Sequence, residues 1–164
     1  MLATGAVPII PPLPGVDLPG VYVLHNIPEM DAIENYLADK SPKRVVVVGG
    51  GYVGLEIAEN LADKGLQVSV VEMLNQIMAP VDFELAAVVH HHLAFHKVGL
   101  VLGDGLKSIE KVDADGSLQV NLASGEALPT DMVVLAIGVR PETSLAKAAG
   151  DRKSTRLNSS HESP

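Results

Sequence analysis

The chain has 164 residues, of which 47% are hydrophobic and 20% charged, as in one globular domain with room for part of a second. Its net charge of −8 argues against nucleic-acid binding, which needs a basic face. The lack of cysteine excludes disulfides and thiol chemistry, and without a visible signal peptide or a run of 18 apolar residues we expect a cytoplasmic protein with no membrane partner.

The N-terminal quarter predicts a connector followed by a helix. Residues 8–20 contain five prolines and two glycines, so we expect an extended, stiff segment that takes no part in a core. A short strand is predicted at residues 21–24. Residues 27–39 carry apolar side chains near helical spacing and predict a helix, which the pair Ser41-Pro42 ends.

The middle of the chain alternates between strand and helix patterns, which is the order of a parallel sheet. Strands are predicted at 45–48, 68–72 and 100–102, and helices at 52–64 and 82–97, with Gly65 and Asp82 as caps. A small antiparallel meander turning at 113–116 is predicted within residues 106–122, and a last buried strand at 132–137. The predicted fold class is α/β, a Rossmann-like doubly wound parallel sheet with an inserted antiparallel β-meander.

A glycine-rich turn, GGGYVG, fits the pattern G-x-G-x-x-G between a predicted strand and a predicted helix. Gly49 permits the tight turn, Gly51 lets the backbone approach a pyrophosphate, and Gly54 lets the helix pack closely on the strand. Val53 lies in the same cofactor-binding turn, whose free amides would face the phosphates. Glu72 ends the next strand, where a carboxylate can accept both ribose hydroxyls of NAD(H) and would repel the 2′-phosphate of NADP(H).

The spacing L-A-x-G-x-x-P occurs twice, in residues 2–8 and 135–141. Both copies lie where a strand would leave a sheet and enter a loop with proline. We interpret residues 1–8 as the end of one nucleotide-binding domain and residues 132–141 as the end of a second. On this interpretation the body of the first domain lies upstream of Met1.

Three segments carry a family resemblance: LATGAVPIIPPLPG at 2–15, KRVVVVGGGYVGLEIAENLADKG at 43–65 and VVLAIGVRPE at 133–142. They resemble, in turn, the ATG motif, the NAD-domain signature and the closing strand and loop of the FAD-dependent pyridine nucleotide–disulfide oxidoreductases. VEMLNQIMAPVDFELAAVVHHHL and VGLVLGDGLKSIE are similar to the branch of NADH oxidases, NADH peroxidases and coenzyme A-disulfide reductases.

The resemblance implies two cofactors, NAD(H) and FAD, with hydride passing from NADH to FAD and on to a small-molecule disulfide, persulfide, peroxide or O2. It implies that Thr4 and Gly5 lie against FAD and that Gly138 lies beside the nicotinamide. Tyr52 matches an aromatic residue that covers the flavin, and Glu56 matches a glutamate near flavin and nicotinamide. The residues alone also allow an ordinary tyrosine and an exposed helix glutamate at these two positions.

Several parts of the family pattern are missing from the chain: the first FAD glycine motif, the redox cysteine, the second FAD stretch and the dimerisation domain. We therefore expect a fragment that does not turn over, from a parent that forms a homodimer through a C-terminal domain. The expected regions are 1–26 (remnant of the FAD domain and connector), 27–141 (NAD(H) domain), 142–150 (start of a return to the FAD domain) and 151–164 (a disordered, non-native tail).

The tail carries its own signal. Residues 151–161, DRKSTRLNSSH, can be encoded by a widely used sequencing-library adapter, which indicates read-through and not natural protein.

Two alternatives to the main interpretation stay open. One is a ferredoxin or rubredoxin reductase-type enzyme without a cysteine centre, and the other is a dinucleotide sensor without activity. No metal site is predicted from the histidines at 90, 91, 92 and 96, because no carboxylate or cysteine completes a set at ligand spacing.

Overall fold

The computed structural model of the chain describes residues 3–112 and 116–151. The turn predicted at 113–116 lies outside these residues except for Gly116, and the tail predicted at 151–164 lies outside them except for Asp151. In chain order the elements are β1 (Ala6–Pro8), β2 (Val21–Val23), α1 (Ile27–Lys40), β3 (Arg44–Val48), α2 (Tyr52–Asp63), β4 (Gln67–Glu72), α3 (Phe83–Phe95), β5 (Gly99–Leu102), β6 (Leu106–Lys111), β7 (Leu118–Leu122), β8 (Ala127–Thr130), β9 (Met132–Leu135), β10 (Val139–Pro141) and α4 (Ser144–Ala148).

Five parallel strands form the central sheet in the order β2-β9-β3-β4-β5. The chain runs from β3 to β4 and β5 on one side and returns with β9 on the other side. The space between the carboxyl ends of β3 and β9 is therefore the point at which the strand order reverses, and open α/β sheets bind their ligands at such points. The edge strand β2 precedes residue 27, where the NAD(H) domain was predicted to start.

Side chains alternate between the two faces of this sheet, and each face has its own apolar core. One face packs against α1, α2 and α3, and the other packs against an antiparallel sheet of β6, β7 and β8. The helical side contains Ile33, Val45, Val47, Ile57, Leu61, Val68, Val70 and Leu93, and the meander side contains Val46, Val48, Ile109, Leu118, Val120, Leu122, Val133 and Leu135. The predicted Rossmann-like α/β fold with an inserted meander is confirmed, and the meander packs on one face of the sheet.

The proline-rich segment 8–20 lies against this meander. Val16 and Leu18 are partly buried on its apolar core. Ile109 donates its N–H to the Pro14 carbonyl at 2.9 Å, and a Cβ on Gly15 would lie 1.8 Å from the Ile109 oxygen. The expectation that this segment takes no part in a core was wrong, because its few apolar side chains meet a layer formed much later in the sequence.

The helix ends follow the predicted signals in part. Gly65 follows α2 with a φ of 86°, and it donates to the Ala62 carbonyl while Leu66 donates to the Leu61 carbonyl, which is the Schellman arrangement. Asp82 precedes α3, but its side chain makes no capping hydrogen bond. Within the described ranges, no helix has the length and apolar character needed to cross a membrane.

The last three residues of the two L-A-x-G-x-x-P copies pair with each other. β1 and β10 form an antiparallel ladder in which Ala6 lies opposite Pro141 and Pro8 opposite Val139. The ladder continues beyond β1, since the Glu142 N–H donates to the Gly5 carbonyl at 2.9 Å and the Thr4 hydroxyl donates to the Glu142 carbonyl. The chain segments that enter and leave the sheet are therefore joined.

Candidate functional site

A cleft of about 450 Å³ opens at the carboxyl edge of the sheet, where β3 and β9 end. The glycine turn after β3 lines one side, and the segment after β9 lines the other. Its lining includes Gly49, Gly51, Tyr52, Val53, Glu72, Ala136 and Gly138. Most of the residues predicted to hold NAD(H) are thus brought together by the reversal of strand order.

The three glycines of the G-x-G-x-x-G pattern differ in what surrounds them. Gly49 has a φ of 110°, and a Cβ there would lie 2.4 Å from the Ala136 oxygen. A Cβ on Gly54 would lie 2.0 Å from the Gly49 oxygen, so the start of α2 is pressed onto the turn. Gly51 has no atom within 4 Å of its Cβ position, which leaves open space above the backbone. This arrangement fits a group as bulky as a pyrophosphate next to Gly51.

The amino end of α2 faces the same cleft. Gly51 is its N-cap and makes no side-chain capping bond. The amides of the first helical turn have no partners within a helix, so they are available for a ligand, and the helix dipole favours an anion there.

The carboxylate of Glu72 makes hydrogen bonds within the chain that the sequence did not predict. Its Oε2 accepts the Gly50 N–H at 2.7 Å, and its Oε1 accepts the Leu74 N–H at 2.9 Å. The half-buried carboxylate therefore holds the glycine turn against the end of β4. Each oxygen retains acceptor capacity, because a carboxylate can accept about four hydrogen bonds.

A further support of the turn was also missed by sequence reasoning. The Met78 N–H donates to the Gly50 carbonyl at 2.8 Å, and a Cβ on Gly50 would lie 2.6 Å from Cγ2 of Ile77. His90 of α3 accepts the Ile77 N–H on Nε2 at 3.3 Å. No sequence signal identifies these contacts, because they join segments more than ten residues apart in an irregular loop.

The residues expected near the nicotinamide divide between two cavities. Tyr52 and Val53 line the cleft with exposed fractions of 63% and 51%. Glu56, one helical turn further, is exposed and lines a neighbouring groove of about 450 Å³ between α1 and α2, which Tyr52 and Val53 also border. Gly138 lies on the opposite side of the cleft with a φ of 113°.

The residues expected against FAD lie away from this cleft. Thr4 and Gly5 are exposed beside the ladder of β1 and β10. The Thr4 hydroxyl is engaged with the Glu142 carbonyl. These two residues offer a flavin an edge and not an enclosing pocket.

The cleft is bordered by a second cavity of about 370 Å³ on the meander side, with which it shares Gly49 and Glu72. Asp104 lines this cavity, and its pKa is lowered from the ordinary value by hydrogen bonds from the Ser124 side chain and from the amides of Ser124 and Gly105. The lowered pKa keeps Asp104 ionised at neutral pH.

The histidines of α3 do not form a metal site. His92 lies 3.7 Å from Glu59, and the rings of His92 and His96 are 4.5 Å apart. In the part of the chain that the structure describes, no three His, Cys, Asp or Glu side chains are placed to hold a metal ion.

Comparison with known proteins assigns the chain to a family. A family model described as pyridine nucleotide-disulphide oxidoreductase matches residues 1–156. An NADH oxidase of Methanocaldococcus jannaschii is 39% identical over 92% of this chain and 33% of its own length. The chain thus spans about a third of this relative.

Two solved structures are similar to this chain. Reduced CoADR-RHD of Bacillus anthracis has a TM-score of 0.82 and 45% identity over 89% of this chain and 26% of that chain. A ferredoxin reductase of Rhodopseudomonas palustris has a TM-score of 0.86 and 33% identity over 93% of this chain and 37% of that chain.

One similar structure bears on the choice of nucleotide. It is an engineered water-forming NADPH oxidase bound to NADPH, with a TM-score of 0.83 and 28% identity over 92% of this chain and 33% of that chain. Its five substitutions remove an aspartate and introduce two arginines.

The predicted family is confirmed by these matches, which include an NADH oxidase and a coenzyme A-disulfide reductase. With its glycine turn at the reversal point of a parallel sheet, this chain belongs to the pyridine nucleotide-disulphide oxidoreductase family.

Proposed function

We propose that the cleft between β3 and β9 binds NADH, and that the chain is the NADH-binding domain of an FAD-dependent oxidoreductase. The observation that carries this proposal is the open space over Gly51 in a turn that is otherwise held tightly. The turn is fixed by Gly49, Gly54 and Glu72 and leaves room at one point, where the amides of α2 begin. An anion that approaches there meets backbone donors without displacing a side chain.

Each part of the dinucleotide has a counterpart in the cleft. The amides at the start of α2 would hold the pyrophosphate, and Glu72 would accept the hydroxyls of the adenosine ribose. Tyr52 and Val53 on one side and Gly138 on the other would enclose the nicotinamide end, with Glu56 beside it. When bound, NADH supplies a hydride and FAD accepts it. Because Thr4 and Gly5 provide only an edge for the flavin, we assign no step of that transfer to them.

NADH is the expected nucleotide rather than NADPH. On the proposed binding mode Glu72 would face the 2′-phosphate of NADPH with a negative charge, and Asp104 adds a second ionised carboxylate in the neighbouring cavity. The engineered relative supports this choice, since it binds NADPH after losing an acidic residue and gaining basic ones.

For the final electron acceptor we propose a group of molecules and not a single one. We propose O2, peroxide, a disulfide or a persulfide; relatives named as NADH oxidases and as a persulfide reductase, and the disulphide oxidoreductase family, support three of these, and peroxide rests on the sequence resemblance alone. A ferredoxin reductase-type protein without a cysteine centre is the second candidate, which is supported by the TM-score of 0.86.

The proposal is tested by titrating the 164-residue chain with NADH and with NADPH and recording the nucleotide fluorescence. We expect saturable binding of NADH and at least tenfold weaker binding of NADPH. Equal affinities would contradict the role of Glu72, and absence of NADH binding would contradict the proposal. With FAD added, we expect no NADH oxidation, and turnover would contradict the expectation that FAD needs residues outside this chain.

A further inference from the structure

We propose that His90 is a positioning residue for the glycine turn and makes the affinity for the dinucleotide depend on its own protonation. This inference rests on the proposed NADH function of the cleft. His90 lines no part of that cleft; it acts through Ile77 and Gly50.

The peptide of Gly50 is held at three points. Glu72 accepts its N–H at 2.7 Å, the Met78 N–H donates to its carbonyl at 2.8 Å, and the side chain of Ile77 packs so closely that a Cβ on Gly50 would lie 2.6 Å from its Cγ2. Two of these three contacts come from the adjacent residues Ile77 and Met78. The position of this short segment therefore sets the position of Gly50, and Gly51 follows directly in the chain.

The segment is in turn held by His90. Ile77 is fully buried, and its N–H donates to Nε2 of His90 at 3.3 Å. A ring nitrogen can accept only when it carries no proton, so this contact requires neutral His90 with its proton on Nδ1. A second proton would leave a buried N–H facing another donor, which is unfavourable, and Ile77 would have to move. Movement of Ile77 removes its support of Gly50.

Among the residues that the structure describes, no carboxylate forms an ion pair with His90. One turn away on α3 lie Ala86, Ala87, Leu93 and Ala94, which are uncharged. The strand β5, on which α3 packs, has no charged residue.

The charged groups of the flanking segments are otherwise engaged or lie at their ends. Glu72 accepts from Gly50 and Leu74, Asp104 accepts from Gly105 and Ser124, and Asp82 precedes the first turn of α3. Across residues 3–112 and 116–151, the histidine that forms an ion pair with a carboxylate is His92, with Glu59. A protonated His90 would thus stand without a counter-charge, while the loss of the Ile77 contact remains.

The test measures the affinity of the full chain for NAD+ by calorimetry between about pH 7.5 and about pH 5.5, the interval in which histidines change charge. We expect the wild type to lose roughly tenfold in affinity over this interval, the effect of one buried unpaired N–H. His90→Gln supplies an amide oxygen that accepts at every pH, so its affinity should equal that of the wild type near neutrality and stay constant. His90→Leu should bind weakly throughout.

Two control variants separate His90 from its neighbours. His91→Gln changes the next, exposed residue of α3, and His25→Gln changes a histidine that lines a cavity with Val53 and Val139. Both should keep the pH dependence of the wild type. If His90→Gln also keeps it, or if the wild type shows none, the inference is overturned.

A second measurement does not depend on the nucleotide. The protection of the Ile77 amide against hydrogen exchange in the free chain should be retained in His90→Gln and lost in His90→Leu. Equal protection in all three proteins would overturn the inference. Absence of NAD+ binding at every pH would instead contradict the proposed function, and amide protection would then decide the role of His90 alone.

Discussion

At the scale of single residues, the glycines of the turn differ in role: two are needed for the fold, and one is proposed to serve binding. Gly54 and Gly49 are needed by the fold, since a Cβ on either would meet backbone at 2.0 Å or 2.4 Å. Gly51 has an ordinary negative φ of −82° and open space at its Cβ position. Among the described residues, no atom near its Cβ position requires glycine at 51, which agrees with the proposed approach of a pyrophosphate at this point.

This difference predicts opposite outcomes for two matched substitutions. Gly51→Ala should leave the melting temperature within about 2 °C of the wild type and weaken NADH binding at least about tenfold, because the methyl group occupies the space for the pyrophosphate. Gly54→Ala should lower the melting temperature by several degrees, because its methyl group forces α2 away from the turn. Calorimetric melting and NADH titration of both variants provide the check. Normal NADH binding by Gly51→Ala would refute the role of that space.

Glu72 supports the turn and is proposed to select the nucleotide as well. Glu72→Ala should reduce the affinity for NADH about tenfold, since it removes a ribose acceptor and frees the amides of Gly50 and Leu74. Adding Met73→Arg should raise the affinity of this variant for NADPH, because a positive charge replaces a negative one near the 2′-phosphate. Parallel titrations with the two nucleotides test this. A double variant that still prefers NADH by the wild-type ratio would show that selectivity arises elsewhere.

At the scale of elements, the amino-terminal edge of the sheet is held by a carboxylate. Asp131 lies just before β9, forms an ion pair with Arg44 at 2.7 Å, and accepts the N–H groups of Lys43 and Arg44 at 2.9 Å each. Burial tends to raise the pKa of Asp131, but hydrogen bonds from the Arg44 side chain and the two amides outweigh it, and the pKa is lowered. The start of β3 is thereby tied to the start of β9.

The sign of this shift predicts an acid-sensitive contribution to stability. A carboxyl group whose pKa is lower in the folded state stabilises the fold above its unfolded value of about 3.9, and the stabilisation is lost as the pH falls below that value. Asp131→Asn should therefore be less stable than the wild type by about 1–3 kcal/mol at neutral pH and by less near pH 3. Urea unfolding of both proteins at the two pH values measures this. A difference of the same size at both would contradict it.

The meander is a second element whose role the structure defines. Its inner residue Leu122 is fully buried against the sheet, whereas Leu145 of α4 is 54% exposed. Leu122→Ala should destabilise the chain by about 2–5 kcal/mol through the cavity it leaves, and Leu145→Ala by much less. Denaturant unfolding of the two variants gives the comparison. Equal effects would mean that the meander does not contribute as a core layer.

At the scale of the whole molecule, a ligand that binds only the folded chain must stabilise it. At an NADH concentration of about 100 times the dissociation constant, the stabilisation is about 2.7 kcal/mol. The melting temperature should rise with NADH and rise clearly less with the same concentration of NADPH, which at tenfold weaker affinity stabilises the chain by about 1.4 kcal/mol. The Gly51→Ala variant is the control, since it should fold normally and show a clearly smaller rise with NADH than the wild type.

The order of the elements could be predicted from the sequence because its causes are local. Four consecutive valines in β3, the apolar spacing in α2 and the glycine after that helix specify a strand, a helix and a stop without reference to the rest of the chain. The glycine turn was recognised for the same reason, since its spacing and its place between strand and helix are written in consecutive residues. The family resemblance rests on the same segments, and the matches confirm it.

The tertiary structure alone decided which distant residues meet. The two L-A-x-G-x-x-P segments become partners in one ladder, Val16 and Leu18 join a core built from the meander, and Glu72 and Ile77 converge on Gly50. These contacts depend on the strand order and on the irregular loop after β4, which no local propensity specifies. The sequence by itself thus determined the presence of a dinucleotide-type turn, while packing between distant segments determined how that turn is held and which residues support it.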